Sequence, residues 1–160
     1  MNNEEFKKGR IIFDNGEVID AHSTELAFLG SNVGRSSVVF VKNREYCSYS
    51  TPVVGVFGAQ CVVVLFFREG VLMRVNITVC GSVDDASEHE AAAFSEEELK
   101  MDKIKQDRWL ICNLGGSPPY DFSWGSVESV LDKRSWSCNV VIVYAGAAGA
   151  TFSAINKTTR

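Results

Sequence analysis

Residues 60–79 read QCVVVLFFREGVLMRVNITV, two apolar runs joined by a turn at residues 68–70. Short apolar runs on either side of a glycine-containing turn predict a β-hairpin, and these two arms are the longest in the chain. The first arm is apolar from residue 61 to 67, which is typical of a central strand covered on both faces. The second arm alternates, so one of its faces should contact water. That face carries Arg74, Asn76 and Thr78.

Two further hairpins are predicted before this one. Residues 10–13 and 17–21 flank Asp14-Asn15-Gly16, and the Asn-Gly pair suits the positive φ angles of a type I′ turn. Residues 37–42 and 46–50 are β-branched, aromatic or small and flank a turn. A short strand over residues 53–57 follows, because Pro52 and Gly58 bound an apolar run.

Helices are predicted from capping signals. Ser23 or Thr24 is expected to cap a short helical turn that reaches Leu29, and residues 30–34 are expected to form a loop. Residues 95–98 read SEEE, the form of a capping box, which predicts a helix from there to about Gln106.

The last third is predicted as strand, loop, helix and strand. Residues 108–114, RWLICNL, are expected to be a strand, and two glycines with two prolines make residues 115–119 a loop. Ser123 or Ser126 is expected to cap a helix reaching about Lys133, with Val127, Val130 and Leu131 as its apolar stripe. Residues 137–144, SCNVVIVY, are the last predicted strand.

These elements predict one α+β domain over residues 1–160, with residues 1–8 and 157–160 disordered. Runs of hairpins followed by helices favour a mostly antiparallel sheet of about six to eight strands with two or three helices on one face. Closure of the sheet on itself is the structural alternative.

The charge balance narrows the classes of partner. Sixteen Lys and Arg against 20 Asp and Glu give a net charge of −4, which disfavours a nucleic-acid surface and favours a basic protein partner. No apolar run has the length of a membrane-spanning helix, and the amino end, MNNEEFKKGR, is too polar for a signal peptide. We therefore expect a cytoplasmic protein that does not enter membranes.

Reactive side chains are few and scattered. The five cysteines form no C-x-x-C pair, which indicates reduced, mostly buried thiols rather than disulfides or a zinc site. His22 and His89 are the only histidines. His22 lies between Asp20 and Ser23, but neighbouring residues on a strand point to opposite faces, and the acids near His89 lack calcium-loop spacing. We predict no catalytic residue, no bound metal and no cofactor.

Two segments have the composition of a binding surface. The first, residues 81–98, contains a cluster of acidic residues and no Lys or Arg. Its candidate contacts are Asp84, Asp85, Glu88 and Glu90. The second, residues 118–125, reads PPYDFSWG and combines aromatic side chains with a carboxylate in a loop stiffened by prolines. Its candidate contacts are Tyr120 and Asp121, whereas Phe122 and Trp124 are expected to hold the next element against the core.

The size, the acidity and residues 116–144, GSPPYDFSWGSVESVLDKRSWSCNVVIVY, resemble the immunity proteins of bacterial contact-dependent and polymorphic toxin systems. The resemblance implies a non-enzymatic inhibitor that masks a basic toxin, such as a nuclease. An acidic surface would bind such a toxin with fast, salt-sensitive association.

Two other functions remain open from the sequence. One is a small-molecule-binding domain or small enzyme with a pocket between sheet and helices, using His22, Cys80 or Asp121 as polar groups. The other is an oligomerising module in which an exposed sheet edge pairs with a second copy, giving a weak homodimer rather than a monomer.

Overall fold

The computed structural model describes residues 3–81 and 95–146. These residues form ten strands, which are β1 (Ile11–Ile12), β2 (Val18–Ile19), β3 (Val38–Lys42), β4 (Tyr46–Ser50), β5 (Val54–Val56), β6 (Ala59–Arg68), β7 (Val71–Gly81), β8 (Tyr120–Phe122), β9 (Gly125–Asp132) and β10 (Ser137–Tyr144). They also form four helices, which are α1 (Glu4–Lys7), α2 (Glu25–Gly30), α3 (Asn32–Ser36) and α4 (Glu96–Leu114).

Eight strands form one open antiparallel sheet. Its order is β3-β4-β6-β7-β10-β9-β8, and β5 pairs with the first residues of β6. The central pair is the predicted hairpin of residues 60–79, which the structure extends to β6 and β7. The α+β class and the antiparallel sheet are therefore confirmed, and β3 and β8 are the edge strands at the two ends of the seven-strand path.

The buried face of the sheet is a row of apolar side chains that share one register. Tyr49 on β4 lies opposite Leu65, Leu65 opposite Val75, and the row continues across β10 and β9. Helix α4 packs on this core face, because the fully buried Gln106 side chain bonds to the backbone of Val79 on β7. Helix α2 covers it at β4, where Phe28 contacts Tyr49 and Phe67.

Helix α4 begins where the sequence predicts and ends eight residues later than expected. The Ser95 hydroxyl accepts a hydrogen bond from the Glu98 amide, which confirms the cap. The prediction of a strand over residues 108–114 is wrong, because this stretch is the last two turns of α4. Trp109, Leu110 and Leu114 face the core, while Ile111 and Cys112 are exposed. Burial therefore follows the helical period, but the sequence does not show it because the exposed residues are apolar as well.

The predicted helix after the proline loop is also wrong, since residues 125–132 form β9. Its alternate residues Val127 and Ser129 are buried on the core face, and the strand pairs along its whole length with β10. Pairing of this length satisfies the backbone on one side of β9 and outweighs the helical spacing of its apolar residues. The strand predicted over residues 137–144 is confirmed as β10.

The amino-terminal third is more ordered than expected. Residues 1–8 were predicted to be disordered, yet the described part begins with α1, whose Phe6 is completely buried against Trp109 and Phe57. The hairpin β1–β2 is confirmed, and Gly16 in its turn has a φ of 95°. Residues 157–160 lie outside the described residues.

The prediction of a loop over residues 30–34 is also wrong. Ser31 caps the short helix α3 through a hydrogen bond from the Gly34 amide, and the Glu17 carboxylate accepts the amides of Asn32 and Val33 at 2.9 Å each. A carboxylate from the β1–β2 hairpin thus binds the first free amides of α3, where a negative charge is favoured. This contact fixes the residues that lead into β3.

Candidate functional site

Strand β3 stands out among the described residues because four successive apolar side chains are exposed. Val38, Val39, Phe40 and Val41 are 66%, 55%, 61% and 49% exposed. Val39 belongs to the same register row as the buried Tyr49 and Leu65, so it is on the core face but beyond the layer that covers that face. β3 therefore overhangs the core, and both of its faces contact solvent.

The backbone of β3 is paired on one side. It bonds to β4, with a β-bulge between Val39 and Val41, and the structure places no strand on its other side within residues 3–81 and 95–146. At the bulge the Val41 amide donates to the buried Ser48 hydroxyl at 3.1 Å. An edge strand with free amides and carbonyls is a template for another strand, and a bulge only partly blunts it.

A pocket of about 280 Å³ adjoins the end of β3. Val41, Ser48, Phe66 and Arg74 form one register row across four strands on the face opposite the helices, which we call the outer face. The pocket opens over this row, next to Met73 at the bulge between β6 and β7. Its lining is mostly apolar and its size suits one or two side chains.

Positive charge flanks β3 at both ends. Arg35 precedes the strand, Lys42 ends it and Arg44 follows in the turn; all three are exposed. None of them takes part in an ion pair within 4 Å in the described part of the chain. Glu45 is the one acid in the same turn, and the charge of Arg35 also acts on the Glu17 carboxylate. A protein with net negative charge thus has a locally basic edge.

Tyr120 and Asp121, the aromatic and acidic contacts predicted from the sequence, lie in β8 at the opposite edge. Asp121 is exposed on the outer face. Tyr120 is half-buried, its hydroxyl donates to the Gly115 carbonyl at 2.6 Å, and burial together with the charge of Asp107 raises its pKa. The structure therefore leaves Asp121 available for contact and uses Tyr120 to hold the proline loop.

The aromatics beside Asp121 are structural. Phe122 stacks on Trp124 with ring centroids 5.0 Å apart, and Trp124 packs against Tyr144 at 5.6 Å. The Trp124 indole N–H donates to the Lys7 carbonyl at 2.8 Å. This agrees with the expectation that Phe122 and Trp124 hold the next element, although that element is the strand β9 and not a helix.

The four acidic contacts predicted in the other segment, Asp84, Asp85, Glu88 and Glu90, lie outside the described residues, as does His89. Their role stays a prediction. His22 is exposed in the turn after β2, where its backbone amide donates to the Asp20 carboxylate at 2.8 Å.

The polar groups proposed for a small-molecule pocket are far apart. Thr24, two residues after His22, bridges to Val71 at the start of β7. Cys80 lies nine residues further along that strand, which is a distance of about 30 Å. Asp121 is at the edge of the sheet, three strands away from β7. One pocket cannot hold all three, and the pocket beside β3 opens on the face without helices.

All five cysteines lie in the described residues, and three of them have a raised thiol pKa. All five are free, and burial raises the pKa of the Cys61 thiol to about 12 and that of Cys138 to about 11. Burial and the neighbouring Glu25 also raise the pKa of Cys47. Cys80 and Cys112 are the exposed thiols, and Cys112 is exposed because residues 108–114 are helical.

Sequence reasoning missed one polar cluster. The Lys103 ammonium donates to both carboxylate oxygens of Asp107 at 3.0 and 3.1 Å and to the hydroxyl of Ser129, which in turn donates to Asp107. The Lys103 ammonium and the Ser129 hydroxyl both donate to the same carboxylate, so both groups are occupied within the cluster. The cluster fastens α4 to β9. The i, i+4 spacing of Lys103 and Asp107 was visible in the sequence, but Ser129 required β9 to be recognised.

Comparisons with known proteins add no relative. No family model, no curated protein and no solved structure matches this chain. In residues 3–81 and 95–146, no group of three or more His, Cys, Asp or Glu side chains is placed to hold a metal ion. No helix of the described residues is long and apolar enough to cross a membrane.

Proposed function

We propose that this protein is a non-enzymatic binding protein that inhibits another protein, in the manner of the toxin immunity proteins it resembles. The observation that carries the proposal is β3, an edge strand with four exposed apolar side chains in a row. Monomeric proteins rarely leave an apolar edge of this kind uncovered unless another protein binds there.

The distribution of reactive groups supports a binding role over catalysis. His22 is in an exposed turn, the buried thiols have raised pKa values, and the Ser129 hydroxyl is bonded within a charge-paired cluster under α4. Catalysis requires a nucleophile, a base and a site for the reacting atom within hydrogen-bond reach of one another. The described residues do not bring such a set together.

The partner we propose is basic overall, as a nuclease toxin is where it contacts phosphate. The net charge of −4 attracts such a partner at long range, and Asp121 adds an exposed carboxylate on the outer face. The predicted contacts Asp84, Asp85, Glu88 and Glu90 would raise the association rate further.

Affinity purification of the tagged chain from its native host tests the proposal. We expect a basic protein to co-purify, to lose its activity when bound and to be toxic to cells that lack this chain. Absence of any stoichiometric partner, together with no protection of cells against the product of a neighbouring gene, would remove the basis of the proposal.

A second measurement tests the charge argument. Changing Asp84, Asp85, Glu88 and Glu90 to the matching amides should slow association with the partner at low salt, and the difference should shrink at high salt. The matched control changes four acids elsewhere, Glu4, Asp14, Glu69 and Asp132, to amides, which produces the same net charge. If both variants associate at the same rate, the local acidic contact is wrong and net charge alone steers the partner.

A further inference from the structure

We propose that β3 is the acceptor for an extended segment of the partner protein, which adds to the sheet as a further strand. This inference rests on the proposed binding function and names the chemistry of the contact. The segment carries apolar side chains at alternating positions and carboxylates near its ends.

The backbone of β3 accounts for the extended shape of the segment. β3 has five residues and pairs only with β4 among the described strands, so its outward amides and carbonyls are open to a strand of five to seven residues. Strand addition satisfies these groups without any rearrangement of the sheet. A helix laid on β3 would leave them unbonded.

The side chains of β3 account for the apolar positions. Val38 and Val41 share the outer face while Val39 is on the core face, and all three are about half exposed or more. A strand added beside β3 places its own alternate side chains next to these two sets. The pocket beside Val41 can take an apolar side chain near one end of the segment.

The charges that flank β3 explain why we propose carboxylates near the ends of the partner segment. They also oppose a second copy of this chain as the occupant of β3. Arg35 lies at one end of β3, and Lys42 and Arg44 lie at the other. Antiparallel self-pairing centred on Phe40 would gather Arg35 of one copy with Lys42, Arg44 and Glu45 of the other at each end of the pair. Three positive charges would then meet one negative charge, and this net positive charge opposes self-pairing. A segment with acidic ends meets opposite charge at both ends.

Binding of two synthetic peptides to the full chain tests the inference. The first is acetyl-Glu-Val-Thr-Val-Thr-Val-Glu-amide, and the second has Lys in place of both Glu. We expect the acidic peptide to bind about three- to tenfold more tightly at low salt, with the preference shrinking as salt is added. Amide chemical-shift changes should fall on residues 38–42 and on the pocket.

Two matched variants locate the binding site. Val39→Lys places a charge on β3, and Val53→Lys does the same at a valine of equal exposure outside the strands, 57% against 55%. We expect Val39→Lys to weaken peptide binding about tenfold or more and Val53→Lys to change it by less than about twofold, with equal thermal unfolding. Lys42→Glu combined with Arg44→Glu should reverse the preference between the peptides.

Three results would overturn the inference. The first is equal binding of both peptides, or no binding, at millimolar concentration. The second is a concentration-dependent dimer in sedimentation experiments that Val39→Lys abolishes, because the occupant of β3 would then be a second copy. The third is a native partner that binds Val39→Lys as tightly as the unchanged chain, and this result would leave the proposed inhibitory function standing.

Discussion

β3 and β8 are the edge strands at the two ends of the seven-strand path through the sheet, and they differ in length, charge and cover. β8 has three residues, follows two prolines, exposes Asp121 and is held by the stack of Phe122 on Trp124. β3 has five residues, four of them apolar and exposed. Short length, proline and charge are the devices by which proteins block edge pairing.

The difference teaches that this fold can protect an edge and that it does so at one end only. β3 has a bulge and Lys42 at its end, but neither covers the four apolar side chains. We infer that the exposed side chains of β3 serve binding, whereas β8 is an edge strand that is held in place by packing and contributes to stability. The predictions below test this contrast between a structural edge and a binding edge.

The largest expected effect is at the structural edge. Trp124→Ala should lower the free energy of unfolding by about 3 kcal/mol, because the ring contacts Phe122 and Tyr144 and its N–H bonds to Lys7. Phe40→Ala, the aromatic counterpart on β3, should change it by less than about 0.5 kcal/mol. Urea unfolding of both variants measures the difference. Equal losses would mean that β3 is packed and not a free edge.

The next effect concerns the helix that covers the middle of the sheet. Gln106→Leu should cost about 2 kcal/mol, because the buried side chain bonds to both the amide and the carbonyl of Val79, and both would lose their partner. Met101→Ala on the exposed side of the same helix is the control and should be nearly neutral. Amide exchange at Val79 should accelerate in Gln106→Leu alone; unchanged protection would contradict the anchoring role.

A smaller, pH-dependent effect is expected at Glu17, which leads into β3 through α3. Partial burial acts to raise its pKa, but hydrogen bonds from Asn15, Val33 and Asn32 and the charge of Arg35 outweigh burial and lower it. Glu17→Gln should therefore cost about 1 kcal/mol at neutral pH, the size of a helix-capping contact.

The sign of this pH dependence is fixed by the lowered pKa. A carboxyl with a lowered folded-state pKa stabilises the protein above its unfolded pKa of about 4.3 and loses this contribution as the pH falls further. Denaturation of the unchanged chain and Glu17→Gln between pH 7 and pH 3 should give curves that converge at low pH. A constant difference across this range would show that the charge of Glu17 has no part in holding α3.

The smallest expected effect is at Asp121. Asp121→Asn should leave the free energy of unfolding within about 0.5 kcal/mol, because the side chain is exposed. Once the basic partner has been identified, the Asp121→Asn substitution should slow association with it by about twofold at low salt and hardly at all at high salt. A larger loss that persists at high salt would place Asp121 inside a desolvated contact and move part of the interface to β8.

Much of the fold follows from local sequence signals. The hairpins at residues 10–21, 37–50 and 60–79 were predicted because turn residues separate runs with strand composition, and each is present. The Ser95 cap was equally readable. These features depend on neighbours in sequence, which is why they could be found without the structure.

The errors at residues 108–114 and 125–132 arose where an apolar run fits both regular structures. Residues 108–114 have apolar side chains both toward the core and toward solvent, since Leu110 is buried while the next residue, Ile111, is exposed. In β9 the core-facing position beside Val127 is taken by Ser129, a polar residue held by Lys103 and Asp107, so alternation was hidden. Long-range contacts determine the secondary structure of both segments, and such contacts cannot be derived from the local composition.

The candidate site was predicted less well than the fold. Asp121 is exposed, but it lies in strand β8 and not in the predicted loop, and its role as a contact stays a prediction. β3 was described only as a strand. SVVFVK has the composition of a buried strand, and its exposure depends on where the covering helices end. Edge position is a property of the whole sheet order, so no local pattern could reveal it.

The outer-face row that begins at Val41 ends at Asp121, after crossing Ser48, Phe66, Arg74, Val143 and Ser126. Six inter-strand spacings separate its ends, which sets a span of about 29 Å. A compact peptide cannot bridge that span, so any single macromolecule that touches both termini of the row must lie across the intervening strands. Chemical crosslinks of graded length from the two ends would therefore distinguish one broad footprint from two independent ones.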